Sequence, residues 1–195
     1  MGGIMNKSII IVQGYLAAGK STFALTLARE LGIPYFVKDT FKTAICQSIT
    51  IDSREVSSCF SAVTFDAMMY AAERLMEAGI PFIIEGNFLP AGIKKTDEAG
   101  VIRSLIERYG CRSLTFKFAG DIKVLYERFV AREGSPERGK ANTMFTTPTI
   151  AEFETFCRNM DGFDIGGEIV EIDTTDFEKV DFKKYIKAAQ TFIKQ

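Results

Sequence analysis

Two hydrophobic patterns alternate along the chain: short solid apolar runs, and longer stretches in which apolar residues recur with a helical repeat. Ser8-Ile9-Ile10-Ile11-Val12 is a continuous β-branched run, the pattern of a strand covered on both faces. Ala24, Leu27, Ala28 and Leu31 then repeat at i, i+3, i+4, i+7, and Gly32 with Pro34 closes that helix. Tyr35-Phe36-Val37 predicts a short strand, and residues 38–48 predict a brief helix. Phe60, Val63, Ala67, Ala71 and Leu75 predict the apolar stripe of a long helix that stops at Gly79, and Pro81-Phe82-Ile83-Ile84 another buried strand. Residues 101–109 read as a helix and 113–118 as a strand. Asp121 can cap a helix whose apolar residues are Ile122, Leu125, Tyr126, Phe129 and Val130. Residues 149–160 predict a helix, 168–172 a strand and 181–193 a closing helix. Short strands separated by helices predict an α/β fold, a three-layer sandwich of one five-stranded parallel sheet with helices on both faces. No repeat, low-complexity tract or linker divides residues 1–195, which read as one domain.

Composition removes several kinds of chemistry. Lys and Arg number 24 against 25 for Asp and Glu, and a net charge of −1 gives no global attraction to nucleic acid or an anionic membrane. The chain has no histidine, which excludes imidazole acid–base catalysis and histidine-ligated metals. Its cysteines, at 46, 59, 111 and 157, form no Cys-x-x-Cys pair, so buried reduced thiols are expected rather than a zinc, iron–sulfur or dithiol site. No apolar run approaches the ~20 residues of a membrane helix. Residues 1–7 lack the apolar core of a signal peptide, and the expected location is the cytoplasm. Most phenylalanines, with Met68, Met69 and Met76, are expected in the core.

Gly14-Tyr15-Leu16-Ala17-Ala18-Gly19-Lys20-Ser21 fits G-x-x-x-x-G-K-[ST], directly after a predicted strand and opening a predicted helix. There the glycines let the backbone N–H groups of Gly14, Ala17, Ala18, Gly19, Lys20, Ser21 and Thr22 curl around phosphate oxygens at a helix N-terminus. Lys20 would reach the β- and γ-phosphates of ATP, and the Ser21 hydroxyl would ligate Mg²⁺. The competing reading is a glycine turn before a core helix. GTPase switches also need Asn-Lys-x-Asp, which is absent, since Asn6-Lys7-Ser8-Ile9 lacks the Asp. Asp97-Glu98-Ala99-Gly100 and Asp164-Ile165-Gly166-Gly167 match the GTPase D-x-x-G string, but no apolar strand precedes either, and both read as turns. A small phosphotransferase is favoured. The alternative is an NTP hydrolase or nucleotide-dependent switch acting through a protein partner.

The order of this loop, Val37-Lys38-Asp39-Thr40-Phe41-Lys42, Ile83-Ile84-Glu85-Gly86-Asn87-Phe88, the Leu125 to Arg132 segment, and Glu171-Ile172-Asp173-Thr174-Thr175 resembles the P-loop small-molecule kinases. Within that group the chain is similar to the nucleoside-kinase-like branch, which includes chloramphenicol phosphotransferase, zeta toxins and polynucleotide 5′-kinase domains. The resemblance implies a P-loop NTPase fold with strand order 2-3-1-4-5 and a short lid. ATP and a small-molecule hydroxyl acceptor would meet at the C-terminal strand ends.

It also implies roles for individual residues. Asp39 would accept the acceptor hydroxyl's proton, or else act as a helix N-cap. Lys42 would grip the acceptor, or else be a solvated lysine, and stands where polynucleotide kinases usually have Arg. Glu85, at the place of a Walker B carboxylate, would touch Mg²⁺ through water or the acceptor, with Asn87 nearby; the alternative is a strand-end turn. Arg128 would pack on adenine and Arg132 reach the phosphates, both from one helix face. Residues 133–148 would form the lid, bringing Arg138 and Lys140 to the transferring phosphate. Thr174 would line the adenine.

Overall fold

The computed structural model describes residues 7–93, 96–132 and 147–195. Most of the expected lid, with Arg138 and Lys140, therefore lies outside the described residues. Five parallel strands form one sheet in the order β2-β3-β1-β4-β5, as expected. They are β1 (Ser8–Gly14), β2 (Tyr35–Val37), β3 (Phe82–Glu85), β4 (Arg112–Ala119) and β5 (Glu168–Asp173). The central strand β1 runs beside β3 with Val12 opposite Glu85, and beside β4 with Gly14 opposite Phe118.

Helices cover both faces, and the alternation of side chains along β1 assigns them. Ile10 and Val12 join a core with Phe23 and Leu27 of α1 (Lys20–Leu31), Leu125 and Phe129 of α5 (Ile122–Ala131), Phe153 of α6 (Ile150–Arg158) and Phe192 of α7 (Phe182–Lys194). Ile9 and Ile11 face the other way, onto α3 (Arg54–Ala78) and α4 (Glu98–Tyr109). The remaining helix, α2 (Lys38–Ile45), follows β2 without an intervening loop.

Helix ends follow their capping residues. Gly32, Gly79 and Gly110 close α1, α3 and α4 in left-handed conformations. Asp121 and Asp181 cap α5 and α7, and Thr149 with Glu152 forms a capping box on α6. Three sequence expectations need correction. The stripe of α3 is misplaced: its buried residues are Thr64, Phe65, Met68, Met69, Ala72 and Met76, while Val63 is exposed. Asp97 does not sit in an isolated turn but caps α4, accepting from the Gly100 amide at 2.9 Å. The thiols are all unpaired, and Cys46 and Cys157 are buried as expected, but Cys59 is exposed. Among the described residues no helix is long and apolar enough to cross a membrane.

Candidate functional site

The loop between β1 and α1 is held in a shape that few residue types accept. Gly14 has φ +125°, and a Cβ there would lie 2.0 Å from the Phe118 carbonyl oxygen, because β4 runs directly beside it. Ala17 has φ 60° without being glycine, a strained conformation. Gly19, at φ +84°, turns the chain into α1, and a Cβ there would strike the Phe177 ring at 2.8 Å. Lys20 is buried, and its Nζ donates to the Tyr15 carbonyl oxygen at 2.6 Å, bridging the loop from inside. From below, the Tyr15 hydroxyl donates to Asp161 Oδ1 at 2.9 Å and accepts from Arg158 Nη1 at 3.2 Å. This ties the loop to the end of α6. Burial and then the Asp161 carboxylate raise the Tyr15 pKa, so it remains a phenol.

Above the loop, at the C-terminal edge of the sheet, lies a cavity of about 370 Å³. The loop contributes Ala17, Ala18, Gly19, Lys20, Ser21 and Thr22 to its lining. Asp39, Thr40 and Thr43 reach it from α2, Tyr35 and Val37 from β2, and Arg132 from the end of α5. Glu85 and Asn87 enter from the end of β3. Strand and helix junctions explain this convergence: parallel strands deliver each chain segment to the same edge, where it must turn. Val37, not Asp39, is the residue preceding α2, and no side chain caps that helix, so the N-cap alternative for Asp39 does not hold.

Electrostatics centre on Glu85. Its Oε2 accepts from Ser21 Oγ at 3.0 Å, so the loop serine and the strand-end carboxylate already face each other. Burial, reinforced by Asp39, pushes the Glu85 pKa up to about 7, against the pull of Lys20 and the Ser21 hydrogen bond. Burial lowers the Lys20 pKa, opposed by Glu85 and Asp39. A hydroxyl and a carboxylate oxygen side by side are hard donors of the kind Mg²⁺ takes, and Ser21 and Glu85 could hold it. Cys157 beneath the loop is inert, its thiol pushed up to about 11 by burial.

Several expected residues stand apart from the cavity. Lys42 is buried, neither gripping the cavity nor solvated, and donates to Ser57 Oγ of α3 at 2.7 Å. Arg128 lies with its guanidinium carbon 4.1 Å from the centre of the Phe177 ring and donates to the carbonyls of Thr174 at 2.6 Å and Thr175 at 2.8 Å. Thr174 is buried, and its Oγ1 donates to the Ala119 carbonyl at 3.1 Å. Gly14 lies under the loop, against β4.

Sequence reasoning missed a buried ion pair next to the cavity. Lys38, the residue before Asp39, pairs with Glu98 at the first turn of α4, and its ammonium lies 5.3 and 5.5 Å from the ring centres of Phe65 and Phe88. The other Glu98 oxygen accepts from the Leu89 amide at 3.1 Å. One carboxylate thus fastens both the Asp39 segment and the segment carrying Asn87. Reading Asp97-Glu98 as a helix start rather than as part of a GTPase string would have exposed it.

Comparison with known proteins agrees with this architecture. A candidate kinase from Chloroflexus aurantiacus J-10-fl superimposes with a TM-score of 0.84 at 23% identity, over 95% of this chain and 98% of that one. A sugar kinase from Janibacter sp. HTCC2649 gives 0.58 at 17% identity over 96% and 95%, and the shikimate kinase of Bacteroides thetaiotaomicron 0.55 at 14% over 96% and 99%. At such identities the likeness is one of fold. No curated protein sequence matches the chain. The AAA_33 family model, an AAA domain, matches residues 9–151, from β1 through the glycine-rich loop and both cavity-lining strand ends to the start of α6. The chain belongs to this P-loop NTPase family, the AAA_33 domains.

Proposed function

We propose that the protein is an ATP- and Mg²⁺-dependent kinase that moves the γ-phosphate of ATP to a hydroxyl of a small molecule, acting as one domain. One observation carries the reading: a glycine-rich phosphate cradle and two carboxylates, Asp39 and Glu85, border the same cavity of about 370 Å³. That volume suits the reacting ends of two small molecules better than a macromolecular partner. The fold neighbours support it, several being kinases by name.

Each residue has a physical task in this reaction. The loop amides and the N-terminus of α1 hold phosphate oxygens. Lys20, whose ammonium rests on the Tyr15 carbonyl, turns to the β- and γ-phosphates when nucleotide enters. Ser21 and Glu85 would hold Mg²⁺, which would supply positive charge to the phosphate oxygens. Arg132 neutralises charge gathering on the transferring group, the role the resemblance also implies for Arg138, which lies outside the described residues. The acceptor hydroxyl lies against Asp39. As its oxygen bonds to the γ-phosphorus, the bond to the β-phosphate bridging oxygen breaks, and the hydroxyl proton passes to the Asp39 carboxylate. Arg128 on Phe177, beside the Gly19 turn, forms a flat cationic shelf for the base, with the Thr174 and Thr175 backbone fixing its plane.

Asp39→Asn tests the reading. It preserves side-chain volume and removes the proton acceptor. ADP release and product formation are measured over a panel of hydroxyl acceptors, and ATP affinity on the same variant. Transfer should fall by about 10²–10⁴ with ATP affinity near wild type. Retained transfer would move the base to Glu85.

A further inference from the structure

The sheet order sets β2 two strands from β1, about 10 Å to one side of the glycine-rich loop. The Arg128–Phe177 shelf lies on the other side, where Arg128 holds the turn after β5. A nucleotide that spans loop and shelf leaves the β2 side of the cavity to a second molecule.

That side is an apolar wall. Tyr35 and Val37 stand two apart on β2, so they project from the same face, and both line the cavity together with Leu25 of α1. Tyr35 keeps 39% of its surface exposed, while Leu25 and Val37 are half-buried. Thr40 and Thr43, one helical turn apart on α2, complete the wall. Their hydroxyls donate to backbone carbonyls, Thr40 to Val37 at 3.2 Å and Thr43 to Asp39 at 3.0 Å, so those protons are engaged within the protein. A tyrosine ring left partly in water beside a leucine and a valine is surface that an apolar ring of a ligand would cover favourably.

A polar feature stands between this wall and the loop. Asn87 lines the cavity from the end of β3, the strand between β1 and β2. Its Oδ1 is buried and accepts no hydrogen bond from the described residues. A buried acceptor left without a donor is costly, and the cavity is where a donor can reach it. A ligand with hydroxyls near the loop and a ring over β2 meets both needs.

On the kinase reading above, we propose that the β2 side of the cavity is a ring-binding compartment for the phosphate acceptor. The acceptor is a hydroxyl compound bearing an aromatic ring. The ring lies on Tyr35 against Leu25 and Val37, and a hydroxyl donates to Asn87 Oδ1.

The test uses the whole chain with its nucleotide site filled by Mg²⁺ and a non-hydrolysable ATP analogue. Probes are pairs that share their hydroxyl framework and differ in the ring: methyl and phenyl glucoside, and methyl riboside with uridine. Dissociation constants are read by ligand-observed NMR, and phosphate transfer to each probe is then read by product mass with Mg·ATP. The ring-bearing member should bind about tenfold more tightly. Tyr35→Ala, an exposed change at the sheet edge, should erase that preference with ATP affinity near wild type, and Tyr35→Phe should keep it. Asn87→Ala should weaken both members of a pair alike, and unchanged binding in that variant removes the hydrogen bond from the proposal. Equal or absent binding within the pairs, or a preference that survives Tyr35→Ala, overturns the inference and leaves the kinase reading to its Asp39→Asn test. Ring-dependent binding through Tyr35 with no phosphate transferred to any probe upholds the ring compartment and counts against the kinase reading.

Discussion

Replacing Glu85 by Gln should make the ligand-free protein more stable at pH 8 and less able to bind Mg·ATP. The carboxyl is buried, and its pKa rises from 4.5 to about 7 in the folded chain. An acid whose folded pKa is raised holds its proton more tightly folded than unfolded, so stability falls as pH rises between the two values. Carried from pH 5 to pH 8, that shift removes about 2–3 kcal/mol of stability. Glutamine cannot ionise and still offers an amide oxygen to Ser21, so the variant should escape this loss. Losing the attraction that opposes Lys20's desolvation trims the gain. In a chain of this size, each kcal/mol moves Tm by roughly 2–4 °C, so the advantage of Glu85→Gln should grow by about 5–10 °C between pH 5 and pH 8. Parallel thermal and urea melts of both proteins without nucleotide, at each pH, measure it. A Tm difference between them that does not change with pH would refute the argument, for it would mean that Glu85 is ionised freely in the folded protein.

The other two predictions concern two buried lysines. Lys20→Ala should abolish most of the stabilisation that Mg·ATP provides, about 2.7 kcal/mol at a hundredfold excess over Kd, and an undiminished Tm shift in the variant would remove the phosphate-cradle assignment. Lys38→Met leaves Glu98 buried without its cation and should cost about 3–5 kcal/mol in urea denaturation, whereas Lys38→Met with Glu98→Gln should recover more than half of that loss, since the amide oxygen can still accept from the Leu89 N–H. Simple additivity of the two changes would show that the pair is not coupled.

The strands and their order were legible because each leaves a local trace. Ile9 to Val12 can be apolar throughout only if both faces are covered, and the glycine-rich loop sits where it does because a strand must end and a helix begin there. The buried face of α3 was not legible. Phe60, Val63, Phe65, Ala67, Met68, Met69, Ala71, Ala72, Leu75 and Met76 surround that helix almost completely, so periodicity leaves its rotation undetermined. Packing against β3 and α4 chooses Phe65, Met68, Met69, Ala72 and Met76. The same distinction divides the site. Lys20 and Ser21 are set by a contiguous motif, and Asp39 and Glu85 by their positions at strand ends. Lys42 was readable as a solvated side chain but is buried, and its partner Ser57 lies on a different helix, which no spacing within one segment records. Arg128 likewise depends on the contact of α5 with the turn after β5, which no spacing within one segment records.

These long-range contacts explain how a loop with unfavourable elements persists. Ala17 holds a left-handed backbone, Lys20 is buried with its pKa lowered, and Glu85 resists ionisation, all around one cavity. Each feature costs stability where it stands and persists only if its surroundings over-determine it. The surroundings supply this from two directions. Tyr15, Asp161 and Arg158 fasten the loop from α6, and Glu98 fastens the Asp39 and Asn87 segments from α4. At the cavity floor itself, burial desolvates Lys20 and Glu85, and their mutual attraction offsets only part of that cost. An anion over Lys20 and a cation between Ser21 and Glu85 would relieve both desolvation costs at once. On the proposed reading, nucleotide and metal affinity at this site would draw on instability already present in the free protein, and the two ligands should bind with positive coupling, measured as a tighter ATP Kd in the presence of Mg²⁺.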